Sequence, residues 1–172
     1  MREKRFCPYC GKELGKIDEQ GRERSYCSVC VEIIYENPLP AVAALVENGD
    51  NELLLVQRAV EPAVGRWGLP GGFIEVDETV EDAVLRELKE ETGIEGRIKK
   101  LINISSQLSH FWGRLVIIIG YRIEISGGIL KPGDDAQDAM FFPLSQLPPV
   151  VFSSHRELIK AYREEKKSES CI

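Results

Sequence analysis

The chain has 172 residues, 43% hydrophobic and 29% charged, with a net charge of -6. That is room for one substantial core plus a small extra module in an ordinary soluble composition, and the acidic balance excludes nucleic-acid or anionic-membrane binding driven by charge alone. The longest apolar run, Leu115–Gly120, is far too short to cross a bilayer.

From the start, Met1–Arg5 is charged and no apolar stretch follows, so no signal peptide is expected. Cys7-x2-Cys10 and Cys27-x2-Cys30 follow, with 16 residues between the pairs. Two such knuckles bring four thiolates together as a zinc site, with Gly11 and Gly21 relieving tight turns. A segment of about 30 residues buries too little surface to fold alone, and bound zinc supplies the missing stability. The expected module is a zinc ribbon over 1–36. It either binds nucleic acid or a partner, or braces a dimer or the substrate pocket. Its seven Lys or Arg and seven Asp or Glu lack a basic patch, which favours the bracing role. Cysteines spaced for metal rather than disulfides point to the cytoplasm. Cys171 stands alone as a free thiol.

Asn37-Pro38-Leu39-Pro40 reads as a linker. Ala41–Glu47 reads as a buried strand, Asn48–Asn51 as a turn and Glu52–Arg58 as a second strand, forming a hairpin. Arg58, at its end, either reaches a phosphate or is solvated. The glycine-rich stretch from Arg66 to Glu75 permits close backbone approach to a ligand. Thr79-x2-Asp82 marks a helix start and Gly93 its C-cap. At about 100° per residue from Val80, Ala83 lies near 300°, Val84 near 40° and Leu88 near 80°, an apolar arc. Glu91 (about 20°) and Glu87 (about 340°) fall within it and Glu90 (about 280°) beside it, whereas Lys89 and Asp82 face away. Carboxylates turned toward a core or cleft need a positive partner. Three within one turn suit a hard divalent cation held through oxygen.

The spacing Gly72-x5-Glu78-x7-Arg86-Glu87-Leu88-x-Glu90-Glu91-x-Gly93-Ile94 resembles the Nudix box at every signature position. The family hydrolyses nucleoside diphosphates linked to another moiety, using Mg²⁺ or Mn²⁺. The resemblance implies an α/β/α sandwich around a mixed sheet over 37–172, a metal-ligating carbonyl at Gly72, a structural Glu78–Arg86 pair, and a homodimer. The metals would neutralise the diphosphate, bridge its oxygens and activate a water. Glu87 and Glu91 are then the primary ligands, with Glu90 a ligand or the general base and Glu87 sharing the catalytic assignment.

Further on, Gly96–Ser106 reads as a strand with alternating apolar residues, Ile98, Leu101 or Ile102, and Ile104, and Leu115–Ile125 as a central strand. Ser106-Gln107 match the start of a motif in NADH-pyrophosphatase Nudix enzymes, which also carry a four-cysteine ribbon. Leu108 stands where that motif has proline, and its aromatic run is missing, so strict NADH specificity is not implied. His110, Phe111 and Trp112 either stack on a base or form an exposed hairpin tip. Asp135 or Asp138 either supplies the further carboxylate that Nudix enzymes often place before the strand at Ala139–Phe142, or is a solvated loop acid. Phe141–Phe152 resembles the tail of ADP-ribose-type members. Ser153 or Ser154 caps a last helix through Leu158, Ile159 and Tyr162, with His155 structural and Lys166–Ile172 frayed. The expected activity is cleavage of ADP-ribose or NADH/NAD-like dinucleotides. The alternatives are a NAD-capped RNA hydrolase or a non-catalytic nucleotide-sensing or RNA-binding regulator.

Overall fold

The computed structural model describes residues 4–169. They form two units: the segment up to Pro38 together with Ser109–Arg114, and Leu39–Leu108 with the chain from Leu115 onward.

In the first unit, β1 (Gly15–Glu19), β2 (Arg22–Cys27) and β3 (Glu32–Ile34) make an antiparallel meander. Its core is Cys7, Cys27 and Ile34, with Leu14 and Cys30 packed against them. So small a core cannot offset the entropy of ordering the segment. Beside that core it has four cysteines whose sulfurs lie within 4.8 Å of one another.

The second unit contains β4 (Leu39–Val46), β5 (Glu52–Arg58), β6 (Trp67–Gly68), α1 (Val80–Thr92), β7 (Ile94–Ser109), β8 (Arg114–Gly128), β9 (Ala136–Pro143) and α2 (Ser153–Glu169). The ends of β7 and β8, at Ser109 and Arg114, cluster with the first unit. Strand order is β4-β8-β7 in one sheet and β6-β5-β9 in another. Strands alternate faces, and β4 feeds two cores. Ala41, Ala43 and Leu45 join Leu53, Leu55, Leu158, Ile159 and Tyr162 beneath α2, while Val42, Ala44 and Val46 join Leu54, Ala83, Val84 and Leu88 beneath α1. Helices thus cover both faces, the expected α/β/α arrangement, and β8 is central as expected.

Several expectations change. The hairpin of β4 with β5 does not form: β4 runs parallel to β8, β5 pairs with β6 and β9, and a single bridge, Glu47 to Leu53, joins the two at the turn. The linker is shorter, because β4 already begins at Leu39. Pro40 is tolerated because β4 is an edge strand and the same-parity N–H groups of Val42 and Ala44 point outward, to the carbonyls of Gly72 and Pro70. β7 runs past both expected ends; Ile98 and Ile102 pack against the cores as the alternation expects, whereas Leu101 and Ile104 are exposed. Neither Ser153 nor Ser154 is the cap of α2, since both lie inside it. The Gln107 side-chain oxygen, reaching across from β7, accepts from Ser154 N at 3.2 Å and from both hydroxyls. The tail expected from Lys166 is helical to Glu169, anchored by Lys166 on Glu47 and Asn51 and by Glu169 on Arg122. Cys171 lies outside the described residues.

Candidate metal and catalytic site

Helix α1 begins where its chemistry dictates. Thr79 Oγ1 accepts from Asp82 N at 3.1 Å, and Gly93, left-handed at φ 69°, donates to Lys89 O. Its periodicity turns the carboxylates inward in graded order. Glu91 is 3% exposed, whereas the side chain of Glu87 is 13% and that of Glu90 44% exposed.

The loop before the helix meets them. Gly71 N donates to Glu91 Oε2 at 2.8 Å. Gly72 presses so near Glu87 that a Cβ there would lie 2.4 Å from Oε1. The Gly72 carbonyl accepts from Val42 N at 2.9 Å, which leaves its second lone pair for another contact. Arg86 binds Glu78 through Nε at 2.9 Å and Nη2 at 2.6 Å, and Nη2 also donates to Phe73 O. This fork ties the loop to the helix. Hydrogen bonds from Arg86 and from Glu75 N hold the Glu78 carboxyl down at about 2. The sequence reading missed the other half of this side chain: Arg86 Nη1 reaches Glu87 at 2.9 Å and Glu90 at 2.8 Å. Burial pushes Glu87 upward against that pull. Burial likewise raises Glu91 to about 8, because one N–H does not compensate a desolvated carboxylate.

Among the described residues, only the cysteines hold four metal-ligating atoms within 4.8 Å of one another. The helix carboxylates are not drawn into so tight a cluster: Arg86 holds Glu87 and Glu90, while Gly71 holds Glu91. As a donor set they fit Mg²⁺ or Mn²⁺, being hard oxygens around a buried, under-compensated carboxylate.

The remaining candidates separate. Arg58 donates from Nε to Pro62 O at 2.7 Å and lies over the Phe152 ring at 5.4 Å, and its charge favours ionised Glu91. Asp135 bears electrostatically on Glu91 and Asp134 on Glu87. Asp138 Oδ1 instead accepts its neighbour's N–H, from Ala139, at 2.8 Å. Asp134, at φ 48°, was not foreseen; the run of acids in the turn was the available signal. The loop carrying both is fixed to the end of α1 by Lys131 N to Thr92 O and Gly133 N to Glu91 O. Trp112 packs edge-on to Phe111 on the exposed β7–β8 tip, within the first unit, where His110 is also exposed. Buried His155 accepts the Leu69 N–H at Nδ1, 3.0 Å away, and burial lowers its pKa to about 3, leaving it neutral.

In the first unit, Cys10 and Cys27 sulfurs are 3.5 Å apart and those of Cys7 and Cys30 3.9 Å apart. The Cys30 N–H on Cys27 Sγ lowers that thiol to about 7, favouring the thiolate a metal needs.

The site is thus a loop–helix in an α/β/α fold that gathers Glu87, Glu90 and Glu91 on one side of α1, with the Gly71 N–H on Glu91 and Arg86 on the other two. The NUDIX domain family matches residues 37–162, and the chain belongs to the Nudix family of hydrolases. It is 43% identical over 129 residues to an ADP-ribose pyrophosphatase of Methanocaldococcus jannaschii, covering 75% of each chain. It is 34% identical over 168 residues to the NAD-capped RNA hydrolase NudC of Pseudomonas syringae pv. tomato, covering 96% of this chain and 58% of that one. The chain thus spans little more than half the length of the NudC relatives. Among solved structures, a NUDIX hydrolase from Nitrosomonas europaea superposes with TM-score 0.83 at 28% identity, covering 96% of this chain and 93% of the other. The NUDIX domain of Shewanella oneidensis NrtR, complexed with ADP ribose, gives TM-score 0.67 at 28% identity over 81% and 93% of the two chains.

Proposed function

We propose that this protein is a Mg²⁺- or Mn²⁺-dependent pyrophosphohydrolase that cleaves ADP-ribose or an NADH/NAD-like dinucleotide into two phosphate-bearing products. The observation that carries the reading is Glu91, buried in α1 with its charge met by one backbone N–H, beside Glu87 and Glu90 on the same turn. Glu87 and Glu91, with the Gly72 carbonyl, would hold the cations. When bound, these neutralise the diphosphate and acidify a water. Glu90, the most exposed of the three, takes the proton as the water attacks phosphorus, with Glu87 as the alternative base. Arg86 keeps loop and helix in register through Glu78. Arg58, fixed by its own loop, sets a positive charge toward the phosphates, and Asp135 adds a further carboxylate. The relative named for ADP-ribose supports the choice of substrate.

The same proposal assigns zinc to Cys7, Cys10, Cys27 and Cys30, a ribbon over 1–36 and a catalytic domain over 37–172, in a cytoplasmic homodimer. A second reading, hydrolysis of NAD-capped RNA, is supported by relatives whose similarity extends over 96% of the chain and so into the cysteine unit. Product analysis decides. The protein is incubated with Mg²⁺ or Mn²⁺ and ADP-ribose, NADH, NAD⁺, diadenosine polyphosphates, nucleoside triphosphates or NAD-capped RNA, and products are resolved by chromatography. AMP from ADP-ribose or NADH supports the first reading. Turnover of capped RNA alone replaces it with the second. Tight ADP-ribose binding without products indicates a sensor.

A further inference from the structure

The Gly71 N–H reaches Glu91 because its loop is fixed from two sides. On one side β4 holds it, through Ala44 N to Pro70 O at 2.8 Å and Val42 N to Gly72 O at 2.9 Å. On the other side stands His155, 86 residues away in sequence. Its Nδ1 accepts the buried Leu69 N–H at 3.0 Å, and its ring lies so near Gly68 that a Cβ there would be 3.3 Å from Nδ1. His155 is itself held in place. Phe152 packs edge-on against it, with ring centroids 5.1 Å apart. Val151 N donates to Trp67 O at 3.0 Å, and Gln107 receives the N–H of the neighbouring Ser154. Only Pro70 separates the His155 contact at Leu69 from the Gly71 N–H that meets Glu91 Oε2 at 2.8 Å.

We propose that His155 is a positioning residue: by accepting the Leu69 N–H it aims the Gly71 N–H at Glu91, and so sets how tightly the α1 carboxylates hold a divalent cation. The inference rests on the metal-site reading above. His155 touches neither metal nor substrate, and its effect passes through three residues of backbone. Partners that orient ligating carboxylates change metal affinity by about 10- to 100-fold when removed.

The test is a Mn²⁺ titration of the full chain followed by electron paramagnetic resonance, with melting curves alongside. His155→Leu removes the acceptor. His155→Asn returns an oxygen to the place of Nδ1. Glu91→Gln reports on the metal site itself. The expected result is Mn²⁺ binding weakened about 10- to 100-fold in His155→Leu, near wild type in His155→Asn, and lost in Glu91→Gln. Turnover of His155→Leu then recovers as Mn²⁺ is raised, while the melting curves show the variant already folded before metal is added, so refolding by mass action does not account for the recovery. If His155→Leu fails to fold, His155→Gln replaces it, because its carbonyl stands one bond beyond the Nδ1 position. Wild-type affinity in the variant lacking the acceptor, or equal weakening in His155→Asn, overturns the proposal. Wild-type affinity in Glu91→Gln overturns the metal-site reading and this inference with it.

Discussion

Adding a single methyl group at Gly72 is expected to separate folding from catalysis. Gly72 does not have a positive φ, so alanine brings no backbone strain. Its Cβ would lie 2.4 Å from Glu87 Oε1, 2.6 Å from Cδ and 2.7 Å from Oε2, against an ordinary contact beginning at 3.4 Å. The carboxylate therefore retreats by about 1 Å. Because it ends a flexible side chain, the fold yields at a cost of about 1 kcal/mol, the low end for overpacking. A ligand misplaced by about 1 Å costs on the order of a hundredfold in rate, or about 2.7 kcal/mol of barrier. Gly72→Ala is expected to melt near wild type while kcat for ADP-ribose with Mg²⁺ falls about a hundredfold. Calorimetry and steady-state kinetics measure the two. Gly71→Ala is the contrast: its Cβ would meet the Val42 carbonyl oxygen at 2.1 Å, at φ 149°, so stability fails before activity is at issue. A folded Gly72→Ala with wild-type kcat and metal dependence refutes the placement of Glu87 at the reaction centre.

Glu87→Gln or Glu91→Gln should lower kcat by at least about a thousandfold, roughly 4 kcal/mol, with the circular dichroism spectrum retained; near wild-type turnover in the folded double variant refutes the site. Cys27→Ser should abolish bound zinc by elemental analysis and leave the amides of β1–β3 unprotected from exchange, whereas an ordered ribbon without metal contradicts the structural role. His155 gives a pH prediction. Its folded-state pKa is depressed to about 3 by burial, below an ordinary 6.5, so the unfolded chain takes up a proton that the folded one excludes. The stability from this group is complete above pH 6.5 and is lost as pH falls toward 3, by up to about 1.4 kcal/mol per unit. His155→Asn should flatten that part of the stability profile, measured by urea unfolding.

What could be read from the sequence was local. The caps of α1 lie within four residues of the groups they satisfy, and the inward tilt of Glu87 and Glu91 follows from helical pitch alone. The cysteine spacing is local in the same sense. What could not be read depends on contacts between distant segments. The turn at Asn48–Asn51 does form, but β4 finds a parallel partner in β8, and nothing near the turn reports that choice. Gln107 takes over a cap expected from Ser153 or Ser154 because its oxygen arrives from another strand. The choice between Asp135 and Asp138, and the unforeseen Asp134, depends on how one loop folds back onto the end of α1. The sequence pairs Arg86 with Glu78 alone, since a guanidinium serving three carboxylates is visible only once loop and helix have met.

That threefold service has a consequence for the order in which the protein matures. Arg86 stands as counter-charge to Glu87 and Glu90, so mutual repulsion among the acids does not bar α1 from docking. On the proposed assignment of metals, the carboxylate site is built before it is loaded, whereas the cysteine unit, whose core is Cys7, Cys27 and Ile34, would depend on its metal to fold. On the proposed reading, Arg86 is thus the stand-in cation that lets the acids of α1 gather on one turn.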